Sequence, residues 1–182
     1  METKEIIEPP LAKFIFANSR MAWFWLILRV YVGWEWLSAG WQKLGSPAWT
    51  GDQAGVAIKG FLTVALQKTT GPHPDVQGWY AGLIYFFINH PAILSYLVTF
   101  GEIAVGLALI FGVFTGIAAF FGTFMNANYL LAGTISINPI LLLLQIFLIL
   151  AWRVAGWYGL DRYLLPLIGT PWQKGQLFTK NV

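Results

Sequence analysis

Six residues able to carry charge or hydrogen-bond as amides stand inside apolar stretches of this 182-residue sequence: Arg29, Glu35, Glu102, Asn126, Asn128 and Gln145. An ionised side chain at the centre of a bilayer costs at least roughly 2.5–3.5 kcal/mol, so such groups turn inward and meet one another. Two carboxylates accompany one guanidinium, so Arg29 can neutralise Glu35 or Glu102 but hardly both. The carboxyl left over would hold a proton at neutral pH, desolvation disfavouring its charged form. A carboxyl poised in that way suits proton exchange with a quinone or a transported ion. The plainer alternative is an Arg–Glu clasp that only orients two helices.

Spacing supports a shared site. Arg29, Gly33, Trp36, Gly40 and Lys43 step along one helical face, and Glu102 shares a face with Ser95, Thr99 and Gly106. Trp41 lies near the first of these faces. The candidate catalytic residues are therefore Arg29, Glu35 and Glu102. Trp36, Trp41, Lys43, Asn126 and Asn128 are the candidate substrate- or quinone-binding residues. Lys43, Lys59 and Lys68 could receive a small anion or serve as surface charges. Gly33/Gly40, Gly101/Gly106 and Gly112/Gly116/Ala119 allow helices to approach closely.

Four apolar stretches must position these residues, at about 22–44, 92–114, 116–133 and 139–157. At 1.5 Å per residue each approaches the roughly 30 Å of a hydrocarbon core. With segment centres at mid-membrane, Arg29 falls about 6 Å to one side and Glu35 about 3 Å to the other. Glu102 and Asn126 fall near the centre. The expected fold is a single all-α domain over 1–182, an integral membrane four-helix bundle with a tail from 158 onward. A tight turn at Gly112–Gly116 makes an antiparallel pair. Residues 45–91 form an extracytoplasmic capping loop, with an amphipathic helix over Gly51–Gln67 and an aromatic segment over Val76–Asn89. Lys4, Lys13 and Arg20 precede the first stretch; Arg153, Arg162, Lys174 and Lys180 lie at or after the end of the last. The positive-inside bias puts both termini in the cytoplasm of a multi-pass protein of the cell membrane. Asp161 and Arg162 are expected to pair at the interface and fix where the last helix ends.

Composition agrees with lipid as the solvent. The chain is 57% hydrophobic and 10% charged, against roughly 25% charged in soluble domains. Its net charge of +3 comes from scattered Lys and Arg with no basic run, so nucleic acid is not an expected partner. The absence of cysteine excludes a thiol nucleophile, a disulfide relay and an iron–sulfur cluster. His73 and His90 lie outside the apolar stretches, so neither haem nor a metal is expected. The polar, acidic start lacks the features of a cleaved signal, and the first stretch is expected to remain as a spanning helix.

The sequence resembles the DoxX/DoxD family of small four-helix membrane proteins. The resemblance is carried by RVYVGWEWLSAGWQKLG (29–45), GEIAVGLALIFGVFTGIAAFFG (101–122), MNANYLLAGTISINP (125–139) and AGWYGLDRYLLP (155–166). GPHPDVQGWYAGLIYFF (71–87) is similar to the loop of the DoxD-type branch. The resemblance implies a membrane subunit of a thiosulfate:quinone oxidoreductase, with quinone as a diffusible electron acceptor. It also implies a DoxA-like partner, expected here as a separate chain because the sequence ends soon after its fourth helix. Two other classes stay open: a non-catalytic anchor or assembly subunit for soluble redox partners in thiol or oxidative stress, and a small-molecule or anion permease built by a homo-oligomer.

Overall fold

The computed structural model of the chain describes residues 8–170 and 173–179. Lys4 and Lys180, two of the charges in the topology bias, lie outside the described residues. Pro10 sits in the first turn of α1 (Pro10–Ala17), where its missing N–H costs nothing. Asn18 stops α1 in an extended conformation, its side chain accepting from the Arg20 N–H at 3.0 Å. After a short 3-10 turn the chain enters α2 (Ala22–Leu44). Residues 45–90 hold α3 (Pro47–Thr50), α4 (Val56–Gln67) and α5 (Gly78–Phe87). The long helices α6 (Pro91–Phe111) and α7 (Thr115–Leu131) follow. The last apolar stretch is broken at Ala151 into α8 (Asn138–Leu150) and α9 (Trp152–Ala155), a division its composition does not announce. Beyond it lie α10 (Asp161–Ile168) and a small hairpin of β1 (Gly169–Thr170) and β2 (Gln173–Lys174).

Glycine sets how the long helices meet. A Cβ at Gly106 would stand 2.5 Å from the Leu37 nitrogen, and one at Gly40 2.9 Å from the Ile103 nitrogen. The backbones of α2 and α6 therefore touch, running antiparallel, as small residues permit. At the far end of α6, Gly112 adopts φ +66° and lets the Val113 N–H return to the Ala108 carbonyl at 2.8 Å. That turn feeds α7 back against α6, and α7 in turn packs on α8.

The four long helices bury a core that includes Trp25, Val32, Trp36, Leu109, Ala119 and Leu148. They also bury Ser95, Thr99, Glu102, Asn126 and Gln145, while Ile93, Leu97, Phe100, Phe120, Phe121 and Phe124 face outward. Polar inside and apolar outside is the arrangement that hydrocarbon solvent demands. Among the described residues, α6 alone is long and apolar enough by itself to cross a membrane. α2 reaches that standard only together with the segment before it, from which it bends by 55°. α7 and α8 have 17 and 13 residues, so helix length by itself does not establish four spans.

The segment between α2 and α6 is folded against the helix ends. Ile58, Leu62 and Ala65 of α4 and Tyr80, Ala81 and Ile84 of α5 are buried. A second small core joins Leu62, Val76, Tyr80 and Ile84 to Ala132. Lys68 donates to the Gly133 carbonyl at 2.5 Å, and the Ser95 hydroxyl donates to the Trp49 carbonyl at 2.6 Å. His73 and His90 are exposed.

Candidate functional site

The inward face of α2 brings Trp36 and Lys43 toward the surface of α6 that carries Glu102, because Gly40 lets the two helices close at that level. Glu102 is 2% exposed. Its Oε2 accepts from Lys43 Nζ at 2.6 Å and its Oε1 from the Tyr129 hydroxyl of α7 at 2.8 Å. Among the described residues Lys43–Glu102 is the one ion pair. Lys43 Nζ also lies 5.1 Å from the centroid of the Trp49 ring, and Trp36 packs on Tyr129 at 6.3 Å. One carboxylate thereby holds three helices and is itself walled by aromatic rings.

Next to it lies an amide pair. Asn126 Nδ2 donates to Gln145 Oε1 at 2.8 Å, leaving Asn126 Oδ1 without a partner. With the Gln145 amide turned the other way, its oxygen accepts from the Trp36 indole N–H and its nitrogen donates to the Leu141 carbonyl at 3.2 Å. Neighbours decide amide orientation, and this one gives the buried indole its acceptor. Asn126 must then turn its own oxygen to Gln145, which leaves an Asn126 N–H unshared. Either way a buried amide atom of Asn126 keeps hydrogen-bonding capacity.

Glu35, Trp36, Lys43, Glu102, Asn126 and Tyr129 all line one cavity of about 580 Å³, closed further by Trp49 and Phe61. It lies at the end of α2 from which α3 and α4 depart. Aromatic walls with a few convergent polar groups fit a flat organic head able to accept or donate hydrogen bonds. Among the described residues no three His, Asp or Glu side chains gather as a metal site.

Several expected site residues stand elsewhere. Arg29 does not meet Glu35 or Glu102. It is buried at the opposite end of α2, beside Gly112 and Gly159, where its Nη2 donates to the Tyr158 carbonyl at 3.0 Å. The carboxylate whose charge acts on it is Asp161. Eleven residues of helix from Arg29 to Gly40 amount to about 16 Å, which no side chain spans. Trp41 points outward, 67% exposed, because it follows Gly40 by one residue, about 100° around the helix. Asn128 faces α5, accepting from the Tyr80 hydroxyl at 3.0 Å, and so fastens the cap to α7. Burial pushes the Tyr80 phenol above its ordinary range. Asp161 and Arg162 do not pair: Asp161 turns inward and Arg162 stacks over Trp157 at 5.1 Å. Tyr129 was not anticipated, although it stands three residues from Asn126 on the same face of α7. Lys43 proves to be a partner of Glu102 rather than a free receiver of anions.

A model of the DoxX family matches residues 24–135, well over half of the chain. The chain belongs to the DoxX family. It is accordingly a membrane protein, and its outward Ile, Leu and Phe side chains meet lipid. The DoxX match contains Trp36, Lys43, Glu102, Asn126 and Tyr129, whereas Gln145 and Asp161 lie beyond it. No curated protein and no solved structure matches the chain.

Proposed function

We propose that this DoxX protein is the membrane subunit of an oxidoreductase, and that its cavity receives the head of a membrane quinone. In this reading α2, α6, α7 and α8 with α9 are four spans of the cell membrane, both termini are cytoplasmic, and the cavity opens on the outer half. The observation that carries the reading is Glu102, a buried carboxylate held by Lys43 and Tyr129 at the wall of an aromatic chamber. Reducing a quinone to a quinol takes two electrons and two protons. Glu102, after taking up a proton from solution, and Tyr129 would each pass one proton to a carbonyl oxygen of the ring, and Asn126 would orient the ring through its unshared amide group.

The electron donor is a small sulfur anion of the thiosulfate type, two thiosulfates giving tetrathionate and two electrons. Charge separates donor from acceptor. The lining carries Lys43 against Glu35 and Glu102, one positive charge against two negative when both carboxyls are ionised, so the chamber suits a neutral ring better than a dianion. The anion would react at the mouth, or on a DoxA-like or other partner chain. Purified protein in quinone-loaded nanodiscs should quench its tryptophan fluorescence, with Trp36 and Trp49 at the wall. Glu102→Gln should weaken quinone-dependent turnover at least about a hundred-fold, the scale of one lost acid–base group. Unchanged turnover in that variant removes the assignment.

One observation favours a second reading, that of an anchor for soluble redox partners. Both Glu102 oxygens are already engaged, and the group ties α2, α6 and α7 together. A purely structural clasp predicts that Glu102→Gln lowers the melting temperature while quinone quenches the fluorescence of wild type and variant alike.

A further inference from the structure

A second cavity, of about 470 Å³, lies at the Arg29 end of the helices, between α9, α10 and β2. Its wall carries three cations, Arg153, Arg162 and Lys174, and one acid, Asp161. Asp161 is not available to neutralise them. Its two oxygens accept the backbone N–H groups of Phe114 at 2.6 Å and Thr115 at 2.8 Å, and its side chain is buried on the α7 side. The guanidinium groups are held in place by rings, Arg153 over Trp152 at 5.2 Å and Arg162 over Trp157 at 5.1 Å. Stacking fixes the plane of a guanidinium and leaves its N–H edge free to receive two oxygens of one phosphate.

The surroundings decide which phosphate. Trp157 lines the cleft, and Tyr158 and Tyr163 are exposed on the same stretch of chain, as in the aromatic belt where a membrane protein meets headgroups. Leu165 and Pro166 form an apolar part of the wall, and Leu160, Leu167 and Ile168 are exposed along the same short segment. A soluble phosphate would gain nothing from that apolar surface, whereas a lipid brings both a phosphate and hydrocarbon. We propose that the cleft between α9, α10 and β2 binds the phosphate of an anionic membrane lipid. It lies outside the DoxX-matched segment and shares no residue with the Glu102 cavity.

The test is native mass spectrometry of the full chain released from nanodiscs containing equal phosphatidylglycerol and phosphatidylcholine. Phosphatidylglycerol should be retained in preference. Each cation near an anionic headgroup contributes roughly a five-fold gain, so Arg153→Gln with Arg162→Gln should cut the retained anionic lipid by about 25-fold. The charge-preserving pair Arg153→Lys with Arg162→Lys should retain several-fold more than the glutamine pair but less than the wild type, because the charge stays while the two-point N–H contact is lost; this separates loss of charge from loss of folding. Lys59→Gln, a surface cation on α4, should leave retention unchanged. Equal retention of the two lipids by the wild type overturns the proposal. So does retention that survives the glutamine pair, or displacement of the lipid by millimolar inorganic phosphate.

Discussion

Arg29 and Glu102 are both charged, both almost fully buried and both on the α2–α6 seam, yet they are treated in opposite ways. At the Glu102 end the charge is met by side chains, Lys43 and Tyr129, and an open chamber is left beside it. At the Arg29 end, backbone does much of that work. Arg29 donates to a carbonyl, Asp161 accepts two amide N–H groups, and Gly112 and Gly159 crowd the guanidinium so closely that no cavity opens onto it. The difference teaches that burial alone does not mark a functional charge. A side-chain partner can be exchanged during a reaction, whereas a backbone carbonyl held in the turn between α9 and α10 is far less free to move aside. In the proposed function the Arg29 end is structural and the Glu102 end is the reactive one.

Variants can break that contrast. Asp161→Ala should have the largest effect, because it strips two N–H groups at the start of α7 of their acceptor and leaves Arg29 facing no acid. Removing one member of a buried charged arrangement costs about 3–5 kcal/mol, read as a collapse of thermal stability in detergent. A loss below about 1 kcal/mol would show the Arg29 end to be dispensable. Tyr129→Phe should cost about 1.5–3 kcal/mol of stability, the value of one hydrogen bond to a charged group, while quinone-dependent fluorescence quenching falls markedly. Should stability fall and quenching persist, the Glu102 end would be structural too. Trp41→Ala, on the outward side of the same helix, should change stability by under about 0.5 kcal/mol and leave quenching intact.

Much of the fold could be read from residue types. The apolar stretches are helices, the Gly112 turn pairs α6 with α7, and Gly33, Gly40 and Gly106 lie in the α2–α6 contact, whereas Gly101 faces Met125 of α7. The face holding Trp36, Gly40 and Lys43 points inward as its spacing indicates. Depth was less accessible. Placing every segment centre at mid-membrane sets Gly33 level with residue 103, whereas Gly33 packs between Gly106 and Ile110. That stagger of about five residues, or about 8 Å, carries Arg29 down to the turn after α6 and Glu102 up to Lys43. Periodicity reports the face of a helix but says nothing of its slide along a neighbour. The role of Tyr129 is hidden in the sequence for a related reason. A tyrosine near a helix end is usually an interfacial anchor, and only the approach of α6 turns its hydroxyl onto a carboxylate.

The bond from Asp161 to the first turn of α7 also bears on how the protein is made. The acceptor comes 46 residues after the Thr115 N–H it satisfies. At about 5–20 residues per second, ribosomes deliver it several seconds later. During that interval the nascent α6–α7 hairpin, inserted as two spans in the proposed topology, would have its leading amides without that acceptor. Final locking of the hairpin therefore belongs to the last stage of synthesis, and chains stalled before Asp161 would present quality-control proteases with an unlatched helix.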